Sequence, residues 1–325
     1  MALDHSNPEL HTRFRLGGTL SSAVFITVHL VCFAAIWTGV YWRDIAICVG
    51  LYWLRMFAIT AGYHRYFSHR TYKMGRVMQF IMAFLAQSSA QKGVLWWAAN
   101  HRHHHRHSDQ PEDCHSPVQR GFWWSHVGWI MSSDHTETRA DDIKDFSQYP
   151  ELVWLNKYHV LPVVVLAAIV YLAAGWSGLV VGFFWSTVIT WHGTFTINSL
   201  THVFGKRRYE TTDDSRNNWL LALITMGEGW HNNHHHYQAS CRQGFFWWEI
   251  DATYYILKGL EKLRLVRDLR EPPRHLVEGK AHPRRAAVLA AKANRQTSAR
   301  PTAARVDDSE PQLAPLAPLA NLKVD

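Results

Sequence analysis

Val77-Met-Gln-Phe-Ile-Met-Ala-Phe-Leu-Ala-Gln-Ser-Ser-Ala90 is the stretch whose reading decides the fold. On hydropathy alone it is one more membrane crossing. Histidines flank it, His64 and His69 before and His101, His104 and His105 after. If the block crossed a bilayer, His69 and His101 would emerge on opposite faces, too far apart to share one site. The block is short for a hydrocarbon core of ~30 Å, and Gln79, Gln87, Ser88 and Ser89 would sit awkwardly in lipid. It therefore reads as a helix buried under a cytoplasmic domain or lying at the interface.

Working outward, the histidines fall into three clusters and one outlier: His64-Arg-Tyr-Phe-Ser-His69, His101-Arg-His-His104-His105, His231-Asn-Asn-His234-His235, and His202 in Asn198-Ser-Leu-Thr-His202. In the second and third clusters the spacing is i, i+3 and i+4, which on a helix gathers three imidazoles on one face. Asn198 and His202, four apart, also share a face. His64 and His69 do not: five residues turn an α-helix by about 500°, leaving them ~140° apart. They serve two different metals, or they lie where a helix ends. Neutral imidazoles suit iron, zinc, copper or nickel. Cys32, Cys48, Cys114 and Cys241 form no close pair, so neither a disulfide framework nor a thiolate site is indicated.

Apolar blocks predict four crossings in two hairpins, at about 20–41, 45–63, 160–175 and 179–203. The first is too long for a signal peptide's apolar core and lacks a small-residue cleavage site, so it is expected as a retained anchor. Arg13, Arg15, Arg65, Arg70, Lys73, Arg102, Arg106 and Lys206 to Arg208 cluster on the histidine side, which the positive-inside rule makes cytoplasmic, with both termini. The expected fold is all-α and integral to the membrane, with a cytoplasmic helical domain carrying the histidine site. Residues 1–19 read as a cytoplasmic segment, 20–275 as the functional domain, and 276–325 as a disordered basic, Ala- and Pro-rich tail. The net charge of +8 is weighted toward the tail and calls for no nucleic acid. Arg55 falls within the second crossing with no acidic partner in any apolar segment.

The motifs H-x4-H, H-x2-H-H and H-x2-H-H, with Asn-Ser-x-x-His before the last, resemble those of the membrane fatty-acid desaturases, specifically the delta-9 acyl-CoA branch. Thr60-Ala-Gly-Tyr-His-Arg-Tyr-Phe-Ser-His-Arg-Thr-Tyr-Lys73, Arg120-Gly-Phe-Trp-Trp-Ser-His-Val-Gly-Trp129 and Gly227-Glu-Gly-Trp-His-Asn-Asn-His-His235 extend the likeness, which runs from about Leu20 to Leu269. The resemblance implies two iron ions ligated by His64, His69, His101, His104, His105, His202, His231, His234 and His235, with Asn198 reaching one through a water. It also implies an acyl tunnel lined by Gln91, Trp97 and Thr194; Phe195 departs from the family's usual Trp. The implied activity is O2-dependent insertion of a cis double bond at delta-9 of a saturated acyl chain.

Acyl-CoA is the first choice of carrier, and acyl carrier protein and membrane glycerolipid are contenders. The animal-type enzymes carry Arg and Asp before the second motif, a pair associated with the coenzyme A head group, where this chain has Ala99 and Asn100. No His-Pro-Gly-Gly haem signature or cysteine set is fused, so a separate ferredoxin- or cytochrome-type donor is implied. The alternatives are a membrane di-iron hydroxylase and, outside enzymes, a histidine-rich metal transporter. His29, His103, His107, His126, His159, His192 and His236 are expected as hydrogen-bonded structural residues, and Asp113 and His115 as loop caps or groups that orient a ligand. Trp96, Trp123, Trp124, Trp247 and Trp248 are expected at the membrane interface.

Overall fold

The computed structural model describes residues 19–277; the expectations for segment 1–19 and for most of the 276–325 tail lie outside them. Helix α1 (Thr19–Val31) runs through a 3-10 turn to Thr38, where Gly39 at φ 77° stops it. Helix α2 (Trp42–Phe57) follows and continues without a break into a π-wound segment, Ala58–Ser68. Helices α3 (Arg76–Gln87), α4 (Val94–His107) and α5 (Pro150–Lys157) form a layer beside it.

Helix α6 (Leu161–Ser177), a π-wound stretch Gly178–Trp185, and α7 (Ser186–Ser199) with the 3-10 turn Leu200–His202 make a second apolar run. Short helices α8 (Trp219–Ile224) and α9 (His231–His236) and the longer α10 (Ala252–Lys262) complete the helical set used below. A two-residue antiparallel pairing, Lys73–Met74 with Val266–Arg267, ties the end of the domain to its start. Leu276 is buried and its carbonyl accepts from the Tyr209 hydroxyl, so ordered packing reaches slightly past the expected tail boundary.

Among the described residues two helical stretches are long and apolar enough to cross a membrane, Trp42–Ser68 and Leu161–His202, and Ser22–Thr38 is a shorter apolar helix. At 42 residues the second stretch would measure ~63 Å if straight, about twice a hydrocarbon core. It is not straight. Gly175 takes φ 67° and ψ −160°, which splits it into two helices. These fold back on each other so closely that a Cβ on Gly182 would lie 3.5 Å from Val170 and 2.8 Å from Ile47 of α2. The sequence places its break between 175 and 179, and the chain turns there.

The Val77–Ala90 block forms α3 and is not a candidate span. Its Met82, Ala83 and Ala86 join Ala58, Ala61, Phe67, Val94, Leu95, Ala98 and Leu155 in the main core, directly beneath the histidines. The polar residues that argued against lipid have protein partners: Gln79 accepts from the Tyr66 hydroxyl at 2.8 Å, and Gln87 donates to the Leu155 carbonyl and accepts from the Val94 N–H, both at 3.0 Å.

Arg55 is fully buried and has no carboxylate partner. Its guanidinium donates to the Ser186 and Thr187 hydroxyls and the Phe183 carbonyl, and it lies 5.4 Å from the Phe183 ring centroid. The hydroxyls of Ser186 and Thr187 also bond carbonyls of their own helical run, so they are satisfied without Arg55, whereas Arg55 without them would keep only its longer bonds, 3.3, 3.5 and 3.4 Å, to the Leu51, Ser88 and Phe183 carbonyls. Stripping one side of a buried charged contact costs roughly 3–5 kcal/mol, while an apolar replacement of the charge itself is often tolerated. Ser186→Ala with Thr187→Val should therefore lower the Tm of the solubilised protein sharply, and Arg55→Met should lower it far less. The reverse order in a thermal melt would refute this account of α2 and α7.

Candidate metal centre

The nine histidines picked out in the sequence meet in two adjacent groups: His64, His69, His101, His105 and His234 in one, and His104, His202, His231 and His235 in the other. Within each group the potential ligand atoms all lie within 4.8 Å of one another. Both i, i+3, i+4 clusters are split the same way. On α4 the i and i+4 residues, His101 and His105, enter the first group and His104 the second. On α9 His231 and His235 enter the second and His234 the first. One helical turn thus feeds both groups, which holds them side by side.

His64 and His69 share the first group, which rules out service to two metals and favours the helix-end alternative. The reason is winding: the His69 N–H donates to the His64 carbonyl at 3.2 Å, an i to i+5 bond that returns residues five apart to one face. His69 then caps the helix.

Ring nitrogens face each other at short range: Nε2 to Nε2 is 3.0 Å for His64 and His234, 2.9 Å for His234 and His105, 2.9 Å for His105 and His101, 2.9 Å for His101 and His69, and 3.1 Å for His202 and His231. Neutral imidazoles facing each other by lone pairs would repel. Two nitrogens ~2.1 Å from one metal at a right angle stand roughly 3.0 Å apart, so the spacing is that of neighbouring ligands.

Carboxylates fix which nitrogen carries the proton. Nδ1–H of His104 donates to Asp113 at 2.9 Å, that of His202 to Asp109 at 2.8 Å, that of His235 to Asp213 at 2.8 Å, and that of His64 to Glu228. Each bond leaves Nε2 with a free lone pair. Burial, reinforced by neighbouring imidazoles, pushes His69, His101, His105, His231 and His234 well below the ordinary range, so these rings are neutral. Asp109 feels burial in the opposite direction, but the His202 N–H and the Ser116 hydroxyl bring it down to about 2. The donor set, its protonation and its spacing all fit a pair of divalent transition metals.

These acids are what sequence reasoning missed. Asp113 does both things expected of it, accepting from His104 and from the Asp109 and His115 N–H groups of its own loop. Asp109 and Asp213 stood in no motif, and Glu228, though inside the Gly227–His235 block, was given no role; their only other signal was an acid lying near a candidate histidine in sequence. Glu228 is itself held by Arg65, which also pairs with Asp251, all three buried.

Asn198 and the three tunnel candidates lie beside the groups. A cavity is lined by Met56, Trp97, His101, Thr194, Asn198 and His231, among others. Trp97 donates to Gln91 at 3.4 Å and Gln91 to Thr194 at 3.0 Å, so three residues singled out separately form one chain, and the Trp97 ring stacks 5.0 Å from His101. Phe195 is buried and is not among the cavity-lining residues; it packs against Phe25, His126 and His192.

Ala99 and Asn100 are both buried, Asn100 bonds the Trp96 carbonyl, and neither lines the cavity, so neither presents a charged group to a head group there. Trp96 and Trp124 are corrected, since they donate to the His135 and Cys114 carbonyls inside the domain, whereas Trp123, Trp247 and Trp248 are exposed. Several of the histidines expected to be structural have local partners outside both groups: His29 to His192 at 3.0 Å, His192 to His126 at 2.9 Å and His103 to the Glu112 carbonyl at 3.0 Å.

A predominantly helical scaffold with two long apolar helical stretches and two adjoining imidazole groups is that of a membrane-associated protein whose histidines could hold metal. The chain belongs to the fatty acid desaturase family, whose model matches residues 41–267. It is 35% identical to an sn-1 stearoyl-lipid 9-desaturase of Anabaena variabilis over 256 residues, 77% of this chain and 93% of that protein. An sn-1 stearoyl-lipid 9-desaturase of Synechocystis is 36% identical over 79% of this chain and 81% of its own. An acyl-CoA C20 Delta5-desaturase of Anemone leveillei is 35% identical over 75% and 79%. The protein is thus an oxidoreductase of lipid metabolism that acts on a fatty acyl chain with dioxygen and an electron donor.

Carboxylates that orient metal-ligating histidines are worth 10–100-fold in metal affinity. Asp213→Ala should weaken iron retention by about that factor, read as iron per chain against a chelator series, with helicity unchanged. Full retention would show that Asp213 does not orient His235.

Proposed function

We propose that this chain is a di-iron desaturase that places a cis double bond at delta-9 of a saturated acyl chain. His64, His69, His101, His105 and His234 would hold one iron, and His104, His202, His231 and His235 the other, with Asn198 acting through a water. The observation that carries the reading is the convergence of nine imidazoles into two groups beside a cavity. When bound, the iron pair supplies the dioxygen-activating chemistry of the net reaction R–CH2–CH2–R′ + O2 + 2e− + 2H+ → R–CH=CH–R′ + 2H2O.

The chain's own residues supply position. Trp97, Met56 and Thr194 shape the cavity that sets one pair of methylenes against His101 and His231, while the linked Gln91 fixes Trp97. Four crossings, with the histidines and both termini on the cytoplasmic side, follow from the apolar runs and the placement of Lys and Arg. A separate ferredoxin- or cytochrome-type protein supplies the electrons.

For the carrier we propose acyl-CoA, as named for the Anemone relative. Membrane glycerolipid is the second reading. It is favoured by the exposed apolar side chains Trp219, Leu220, Leu223 and Ile224, which end next to Thr225 at the cavity wall.

Fatty-acid profiling of a heterologous host is expected to show a new cis-9 monoene with the wild-type chain, none with His202→Ala, and retained product with His192→Ala ten residues earlier. Equal loss in the two variants would mean that α7 needs histidine for packing. A folded, iron-loaded wild type that forms no alkene would end the desaturase reading. Purified protein offered labelled acyl-CoA and labelled glycerolipid in parallel decides the carrier.

A further inference from the structure

A second opening reaches the same histidines from another side. An open cleft is lined by Ser68, His69, Arg102, His105, Arg106 and Gln238, and it shares no lining residue with the substrate cavity. His69, His101 and His105 of the five-histidine group are only partly buried, whereas every member of the four-histidine group is buried. The first group therefore has an edge near solvent and the second has none.

The rim of this cleft is basic. Arg102 and Arg70 both pair with Asp145, and Arg106 pairs with Asp142. Three cations against two carboxylates leave one positive charge over, and no carboxylate lies among the lining residues. Arg102 also clamps the Phe67 and Ser68 carbonyls at 2.7 and 2.9 Å, which fixes the turn that presents His69.

We infer that this cleft is the docking face for a small acidic one-electron carrier protein, with electrons entering through the His69 and His105 edges. The inference rests on the desaturase reading, which requires two electrons per double bond and so two encounters with such a carrier. Electron transfer slows steeply with distance, and a ring edge at the surface gives the shortest path. A basic rim steers an acidic partner and sets its orientation. Placing the reductant's entrance apart from the acyl cavity lets the carrier dock while substrate is bound.

The test uses the full-length, iron-loaded chain in nanodiscs, titrated with an acidic [2Fe–2S] ferredoxin at roughly 20 and roughly 200 mM salt. Binding should weaken as salt rises. The double variant Arg70→Glu with Arg106→Glu should raise the Kd by about tenfold at low salt, while Arg70→Lys with Arg106→Lys keeps it near wild type. Iron content per chain checks that the variants remain folded. If the double variant loses iron, the single variants Arg70→Gln and Arg106→Gln are each expected to weaken binding by about threefold.

Unchanged affinity after charge reversal, salt-independent binding, or displacement of ferredoxin by free coenzyme A would each overturn the proposal. Binding is read without turnover, so its outcome stands apart from the desaturase reading. That reading is tested separately, by whether dithionite-reduced wild type forms an alkene in a single turnover.

Discussion

The structure depends on bringing nine imidazole lone pairs, from chain positions as far apart as His64 and His235, to within coordination distance of two points. Burying those nitrogens face to face is costly unless a cation takes the lone pairs. Metal binding and local folding are therefore coupled, and the stability of the layer formed by the π-wound segment, α4 and α9 is in part metal affinity. The carboxylates complete the arrangement. Asp109, Asp113, Asp213 and Glu228 each hold one Nδ1–H, so each ring has one proton position and one orientation before any metal arrives.

Asp109 shows how much of the domain around the histidines exists to serve this requirement. Its carboxylate accepts from His202, from the Ser116 hydroxyl and from the Asp214 N–H, joining the end of α7 to two loops. The neighbouring Asp213 holds His235. A single loop pair thus orients one histidine at the end of the Leu161–His202 run and one from α9, both in the fully buried second group.

The sequence carried the helices, the break near Gly175 and the histidine set, because each rests on local periodicity or on residue types with few other uses. Val77–Ala90 was readable through Gln79 and Gln87, whose amides need partners that lipid lacks. The assignment of individual histidines to the two groups was not readable, since it depends on how α4 and α9 face each other. Of the two alternatives for His64 and His69 the helix-end one is favoured, and the ~140° between them does not apply because Ala58–Ser68 is π-wound, which an α-helical angle cannot anticipate. Arg55 was unexplained because its partners are hydroxyls of another span, and Ser and Thr in apolar runs carry no sign that they face a charge. The burial of Ala99 and Asn100 was not readable either, since an Ala and an Asn beside a histidine motif fit a surface or a core position equally well.

The chain Trp97, Gln91, Thr194 links the acyl cavity to the metal groups mechanically. Thr194 sits on α7 four residues before Asn198, and Trp97 sits on α4 four residues before His101, against whose ring it stacks. One helical turn therefore separates each cavity-shaping residue from a histidine or its neighbour, and Gln91 locks the two turns together. A change in cavity shape at Thr194 cannot be confined to the substrate, because releasing Gln91 frees Trp97 and with it the ring that supports His101. Cavity shape and histidine geometry are for this reason coupled in this fold, whereas Met56 and Ile197 line the cavity outside that chain.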